Sequence, residues 1–93
     1  MKGLALEIEL MIHESFSLKD KRRVLKSILD KSRAKYNVAA AEVGEQEMLN
    51  QAILAFSSIS NNYVQCEQML QSVIHLIDNR YEVEIVRVRW VEF

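Results

Sequence analysis

The stretch around which the rest of the chain is arranged reads Ser17-Leu-Lys-Asp-Lys-Arg-Arg-Val-Leu-Lys-Ser-Ile-Leu-Asp30. Ser17 followed three residues later by Asp20 predicts a helix start, because both side chains can accept hydrogen bonds from backbone N–H groups there. Aliphatic residues then recur at helical spacing on one side of the stretch. We therefore predict a helix over Leu18–Lys35, closed by Asn37.

Charge is strongly segregated in this helix. Eight Lys and Arg residues lie between Ser17 and Tyr36 against two Asp residues, so the segment carries +6 in a chain whose net charge is −1. Within two turns, four of the cations could engage several phosphates at once. These four are Lys19, Arg22, Arg23 and Lys26. They predict a nucleic-acid-binding face, and the alternative is a helix exterior that is only solvated.

The segment before the helix has the alternation of a β-strand. Its even positions from Leu4 to Ile12 are all aliphatic, whereas Glu7 and Glu9 occupy the odd positions. Period-2 alternation over nine residues predicts a strand with the even set facing a core. The two glutamates then lie on the opposite face of the sheet.

The segments after the helix predict two more strands and a second helix. Val38–Val43 is a short strand, and Gln51–Ile59 is apolar at both parities, as is typical of a central strand covered on both sides. Asn62 begins a helix that ends at Asp78–Asn79. The apolar stripe of that helix consists of Cys66, Met69, Leu70, Val73, Leu76 and Ile77.

The last strand, Tyr81–Phe93, contains a conflict of phase. Its aliphatic residues change parity near Ile85–Val86, and a β-bulge at that point would resolve the conflict. The order βαββαβ then predicts an α+β ferredoxin-like sandwich over 1–93, with a four-stranded antiparallel sheet and two helices on one face. In that topology Glu7 and Glu9 face Arg87 and Arg89 on the neighbouring strand.

Composition limits the function classes. The chain has 93 residues, 49% of them hydrophobic and 27% charged, which is typical of one folded soluble domain. It shows neither a membrane-spanning apolar run nor a signal peptide, so we expect a cytoplasmic protein. With two glycines and no proline it cannot form a Gly-rich phosphate loop. The single Cys66 excludes an internal disulfide and fits a reducing compartment.

Reactive residues give little indication of catalysis. His13 and His75 are far apart in sequence, so we expect no metal site and no cofactor. His13, Glu14 and Ser15 could form a catalytic group in the Ile12–Ser17 connector, but adjacency in sequence is not catalytic geometry. We therefore favour a plain strand-to-helix connector and a protein that is not an enzyme.

The open face of the sheet is a candidate dimer surface. It lacks the exposed aromatic residues with which RNA-recognition sheets stack bases, since the central strands offer only Phe56. Apolar residues could instead form a homodimer contact, which would consist of Ala5, Met11, one parity of the third strand and Val91 or Phe93. A dimeric domain that recognises an acidic protein surface is thus the alternative to RNA binding.

Several runs resemble the YlxP-like family of small bacterial proteins, a domain of unknown function. The resemblance lies in the segment 17–27, in Asn37-Val38 and in Ala41-Glu42-Val43. It implies a ferredoxin-like fold and no known catalytic residues. Members are often encoded beside translation-initiation and ribosome-maturation factors, which implies a role near RNA or the ribosome.

Overall fold

The computed structural model describes residues 1–13 and 15–93, which form four strands and two helices. They are β1 (Lys2–Ile12), α1 (Leu18–Lys35), β2 (Ala39–Gly44), β3 (Gln51–Ser60), α2 (Tyr63–Arg80) and β4 (Val83–Glu92). The antiparallel sheet has the order β2-β3-β1-β4, and both helices pack on one face of it. The predicted ferredoxin-like βαββαβ sandwich is confirmed. No helix among the described residues is long and apolar enough to cross a membrane.

The core lies between the helices and the sheet. On β1 the even residues are buried, and Leu6, Ile8 and Leu10 have no exposed surface. They pack in one cluster with Leu25 and Ile28 of α1 and with four residues of α2, which are Cys66, Leu70, Val73 and Ile77. Full burial of an aliphatic side chain contributes about 1.5–3 kcal/mol, so this alternation is sufficient to fix which face of β1 receives the helices.

The helix ends follow the predicted capping pattern with two differences. Ser17 Oγ accepts a hydrogen bond from Asp20 N at 3.1 Å, but the Asp20 carboxylate reaches back to Phe16 N, not to the N-cap itself. The helix α1 is closed by Tyr36 in an extended conformation, one residue before the predicted Asn37. Tyr36 packs against the core, and this contact draws the chain out of the helix.

The second helix, in contrast, ends later than predicted. It continues through Asp78–Asn79 to Arg80, and Tyr81 is its C-cap. The Tyr81 ring packs against the core, and its hydroxyl lies 2.8 Å from Ser27 Oγ on α1. These contacts hold the chain beside α1, so it leaves the helix only at Tyr81.

The predicted bulge in β4 is confirmed. Leu10 pairs with Ile85 and Glu9 pairs with Arg87, so Val86 is the extra residue. The bulge puts aliphatic residues on the core side before and after it. On the open side Arg89 lies 3.2 Å from Glu7, and Arg87 lies 3.8 Å from Glu9.

The open face of the central strand β3 is less covered than predicted. Ala52, Leu54 and Phe56 are buried under the helices, but Ile53 and Ala55 are only half-buried. No second layer of the described chain lies over that side of the sheet. The apolar residues at both parities therefore do not indicate cover on both faces here.

Candidate nucleic-acid interface

The four predicted site residues lie together on the outer face of α1. A helix turns by about 100° per residue, and its buried positions, Lys21, Leu25, Ile28 and Ser32, define the direction of the core. Lys19, Arg22, Arg23 and Lys26 all lie about 90° or more from that direction, and all are exposed. We call these four residues the basic face.

Charge compensation differs within the basic face. Lys26 Nζ donates a hydrogen bond of 2.6 Å to Asp30, and Arg33 donates one of 3.3 Å to the same carboxylate. The hydrogen bond from Lys26 lowers the pKa of Asp30 below its usual value. Among the described residues no carboxylate lies within 4.0 Å of Lys19, Arg22 or Arg23. Within the described part of the chain, three cations of the basic face therefore have no carboxylate partner, and the fourth shares Asp30 with Arg33.

Lys21 is not part of this surface, although it belongs to the same basic run. Its side chain is only 1% exposed. The ammonium donates to the carbonyl oxygens of Glu45 at 2.5 Å and Met48 at 2.8 Å, and lies 3.3 Å from Glu42 Oε2. The contact with Glu42 is an ion pair without hydrogen-bond alignment. These contacts of Lys21 thus hold the β2–β3 loop against the first turns of α1.

A second group of cations lies where the two helices meet. Lys31 and Lys35 of α1 lie beside Arg80 at the end of α2, around a groove of about 330 Å³ with Ala34 and Leu76 in its lining. Among the described residues these three cations contact no carboxylate within 4.0 Å. Arg80 lies beyond the predicted end of α2 at Asp78–Asn79, so it was not predicted as part of this group. The antiparallel packing of the two helices in the predicted fold could have indicated that Arg80 lies near α1.

Of the connector residues that the structure describes, His13 and Ser15 make separate contacts. His13 is exposed, with Nε2 3.7 Å from Glu84 Oε1. The Ser15 hydroxyl donates to the carbonyl oxygen of Ser17 at 3.4 Å, and Glu14 lies outside the described residues. In the part of the chain that the structure describes, no three His, Cys, Asp or Glu residues are placed to hold a metal ion. Cys66 is buried in the core as predicted.

Comparisons with known proteins agree with the resemblance seen in α1. The model of the family described as "Protein of unknown function (DUF503)" matches residues 4–90. The uncharacterized protein YlxP of Bacillus subtilis (strain 168) is 39% identical over 92 residues, which cover 97% of this chain and 99% of that protein. Neither description assigns an activity. The chain belongs to the DUF503 family of proteins of unknown function, together with YlxP.

Proposed function

We propose that this protein is a non-enzymatic RNA-binding module that contacts phosphates through the basic face of α1. The observation that carries the proposal is the grouping of Lys19, Arg22 and Arg23, exposed and uncompensated among the described residues, within two helical turns. Phosphate contacts by such side chains release counterions from the nucleic acid, which is the main source of sequence-independent affinity.

The position of Lys26 is compatible with the same role. Its ion pair with Asp30 is on the surface, with 77% of the lysine side chain exposed. Exposed pairs of this kind contribute little to stability. A phosphate can therefore replace Asp30 as the partner of Lys26 without disturbing the fold.

The surroundings of the basic face favour a polyanion over a protein partner. Protein–protein interfaces have an apolar, desolvated centre. The outer face of α1 offers none, because Asp30 and Arg33 continue the polar stripe beyond Lys26. Arg22 and Arg23 carry planar guanidinium groups that can each make two hydrogen bonds to one phosphate. Such phosphates are present both in free RNA and in the RNA of a ribosomal particle.

The test compares two charge reversals of equal size. Arg23→Glu should weaken binding of a short single-stranded RNA by about tenfold, since it removes one phosphate contact and adds a repulsive charge. Lys2→Glu is the matched control, because Lys2 is also an exposed cation but lies at the start of β1, away from α1. Equal affinities of the two variants, measured by fluorescence anisotropy, would rule out the basic face as the RNA site.

A second candidate function, self-association through the open sheet face, rests on a different observation. That face places half-buried apolar residues such as Ile53 and Ala55 beside the Glu7–Arg89 and Glu9–Arg87 pairs. A surface that carries both signs of charge can complement itself across a two-fold axis. Sedimentation equilibrium would show a dimer that Ile53→Asp converts to a monomer. A wild-type monomer at all concentrations would exclude this candidate.

A further inference from the structure

A polar cleft lies at the end of the sandwich opposite the β2–β3 loop. It forms where the chain leaves α1, where β3 ends, and where the first turns of α2 pass over them. Its volume is about 500 Å³, within the range of roughly 300–1,000 Å³ that is usual for small-ligand sites. It is lined by Tyr36, Asn37, Ser58, Ile59, Ser60, Gln65, Gln68, Met69 and Ser72.

The lining of the cleft has no charged side chain, although 27% of the whole chain is charged. Its serine hydroxyls are occupied locally, since Ser58 donates to Asn37 O and Ser72 donates to Gln68 O. The carboxamides of Asn37, Gln65 and Gln68 make no hydrogen bond within the described chain. The cleft therefore offers a neutral ligand three side chains that each carry donors and an acceptor in one plane.

Three carboxamide groups of this kind can form hydrogen bonds with the edge of a nucleobase. Proteins read unpaired bases by hydrogen bonds from planar amide groups and by contact with aromatic rings. The half-buried Tyr36 supplies a ring at the wall of the cleft. A charged ligand would instead require a counter-charge, which the lining lacks.

A cation lies close to the aromatic ring of the cleft. Lys35 Nζ lies 6.0 Å from the centroid of the Tyr36 ring. From Lys35 the helix leads back to Lys26 over nine residues, about 14 Å along the axis at 1.5 Å per residue. Nine residues also make two and a half turns, which put Lys35 and Lys26 on opposite sides of α1, so a strand whose base enters the cleft must pass around the helix to reach the basic face.

We infer that the cleft binds an unpaired nucleobase of a single-stranded RNA whose phosphates lie on α1. This inference rests on the proposed function for its phosphate contacts, but the pocket for the base stands on separate residues. It assigns to Gln65 and Gln68 the hydrogen bonds to the base edge and to Lys35 the adjoining phosphate. The inferred ligand class is thus unpaired RNA, not duplex.

The first arm of the experiment separates single strand from duplex. The double variant Gln65→Ala/Gln68→Ala should bind a single-stranded RNA oligonucleotide about tenfold more weakly than the wild type. It should bind the corresponding duplex as the wild type does, because no base enters the cleft from a duplex. Gln71→Ala is the matched control, since Gln71 is exposed on the same helix but lines a different groove. Unchanged single-strand affinity of the double variant would overturn the inference while leaving the basic face intact.

The second arm does not depend on the basic face. Adenosine, guanosine, cytidine and uridine have no phosphate, so their binding reports the cleft alone. At millimolar concentration at least one of them should shift the side-chain amide NMR signals of Asn37, Gln65 and Gln68. If none of the four moves these signals, the cleft is not a base site, whatever the affinity for RNA. Shifts in the absence of any RNA binding would support the cleft and contradict the proposed function.

Discussion

The ammonium group of Lys21 is a buried charge that donates hydrogen bonds to two carbonyl oxygens and forms an ion pair with Glu42. Burial of a charge is costly unless it is paired and hydrogen-bonded. Glu42 neutralises this one, and the carbonyl oxygens of Glu45 and Met48 complete its surroundings. The contact also holds the backbone at Glu45, whose φ of 60° lies in the left-handed region. Lys21 therefore stabilises a loop conformation that an isolated Glu residue seldom adopts.

Removing this charge should be strongly destabilising. Lys21→Met keeps the length of the side chain but leaves the Glu42 carboxylate and two carbonyl groups without their partner. We expect a loss of about 3 kcal/mol in the free energy of unfolding, measured by urea titration. Lys26→Met is the control, because Lys26 is exposed and its loss should cost little. Similar losses in the two variants would show that the Lys21 contacts do not stabilise the fold.

Asp30 limits the positive potential of the basic face. The Lys26 hydrogen bond lowers the pKa of Asp30, so the carboxylate is ionised at neutral pH and the pair stabilises the folded helix there. This stabilisation is lost as the pH falls through the lowered pKa. Asp30→Asn should release Lys26 and Arg33 at neutral pH and raise the affinity for single-stranded RNA by about threefold. Glu67→Gln, an equal change of charge on α2, should leave the affinity nearly constant; a larger effect from that control would argue against a local cause.

At the scale of elements, α1 combines two functions on opposite faces. Leu25 and Ile28 dock it on the sheet, and the basic face is directed outward. Periodicity in the sequence was enough to separate these two sets, because a helix repeats every 3.6 residues whatever it packs against. Periodicity also places Lys21 on the side of Leu25 and Ile28, but its residue type argued against burial, since a long cationic side chain is ordinarily expected at the surface.

The bulge in β4 predicts different effects for two single-residue deletions. Deleting Val86 should leave Ile85 opposite Leu10 and Arg87 opposite Glu9 in a continuous ladder, so the deletion variant should fold. Deleting Val88 instead shifts every following residue to the other face of the sheet, and that variant should unfold. Circular dichroism and thermal melting distinguish these outcomes. Unfolding caused by the Val86 deletion would show that the bulge is required for the fold.

At the scale of the molecule, the strand order and the pairing of Glu7 with Arg89 followed from the sequence. Both depend on the alternation of apolar and polar residues along the strands and on the βαββαβ order of elements. Local sequence patterns specify both. The cleft at Gln65 and Gln68 did not follow, because it is formed by residues from the end of α1, the end of β3 and the first turns of α2 together. The group formed by Lys31, Lys35 and Arg80 was missed for a similar reason, since it depends on how two helices approach each other.

The whole molecule is a sandwich whose helical side carries the exposed cations of the basic face, while the loop between β2 and β3 carries Glu45 and Glu47. Electrostatic attraction of a polyanion to such a side depends on ionic strength, because salt screens exposed charges. The proposed function therefore predicts that the affinity for RNA depends on salt concentration as well as on the residues of the basic face.

The most direct test is the dependence of RNA affinity on salt concentration. For three or four phosphate contacts with a single strand, the logarithm of the association constant should fall with the logarithm of salt concentration at a slope of about −2 to −3. In the triple variant Arg22→Glu/Arg23→Glu/Lys26→Glu, binding should be abolished. An affinity that does not vary with salt, or that survives the triple reversal, would contradict phosphate binding by the basic face.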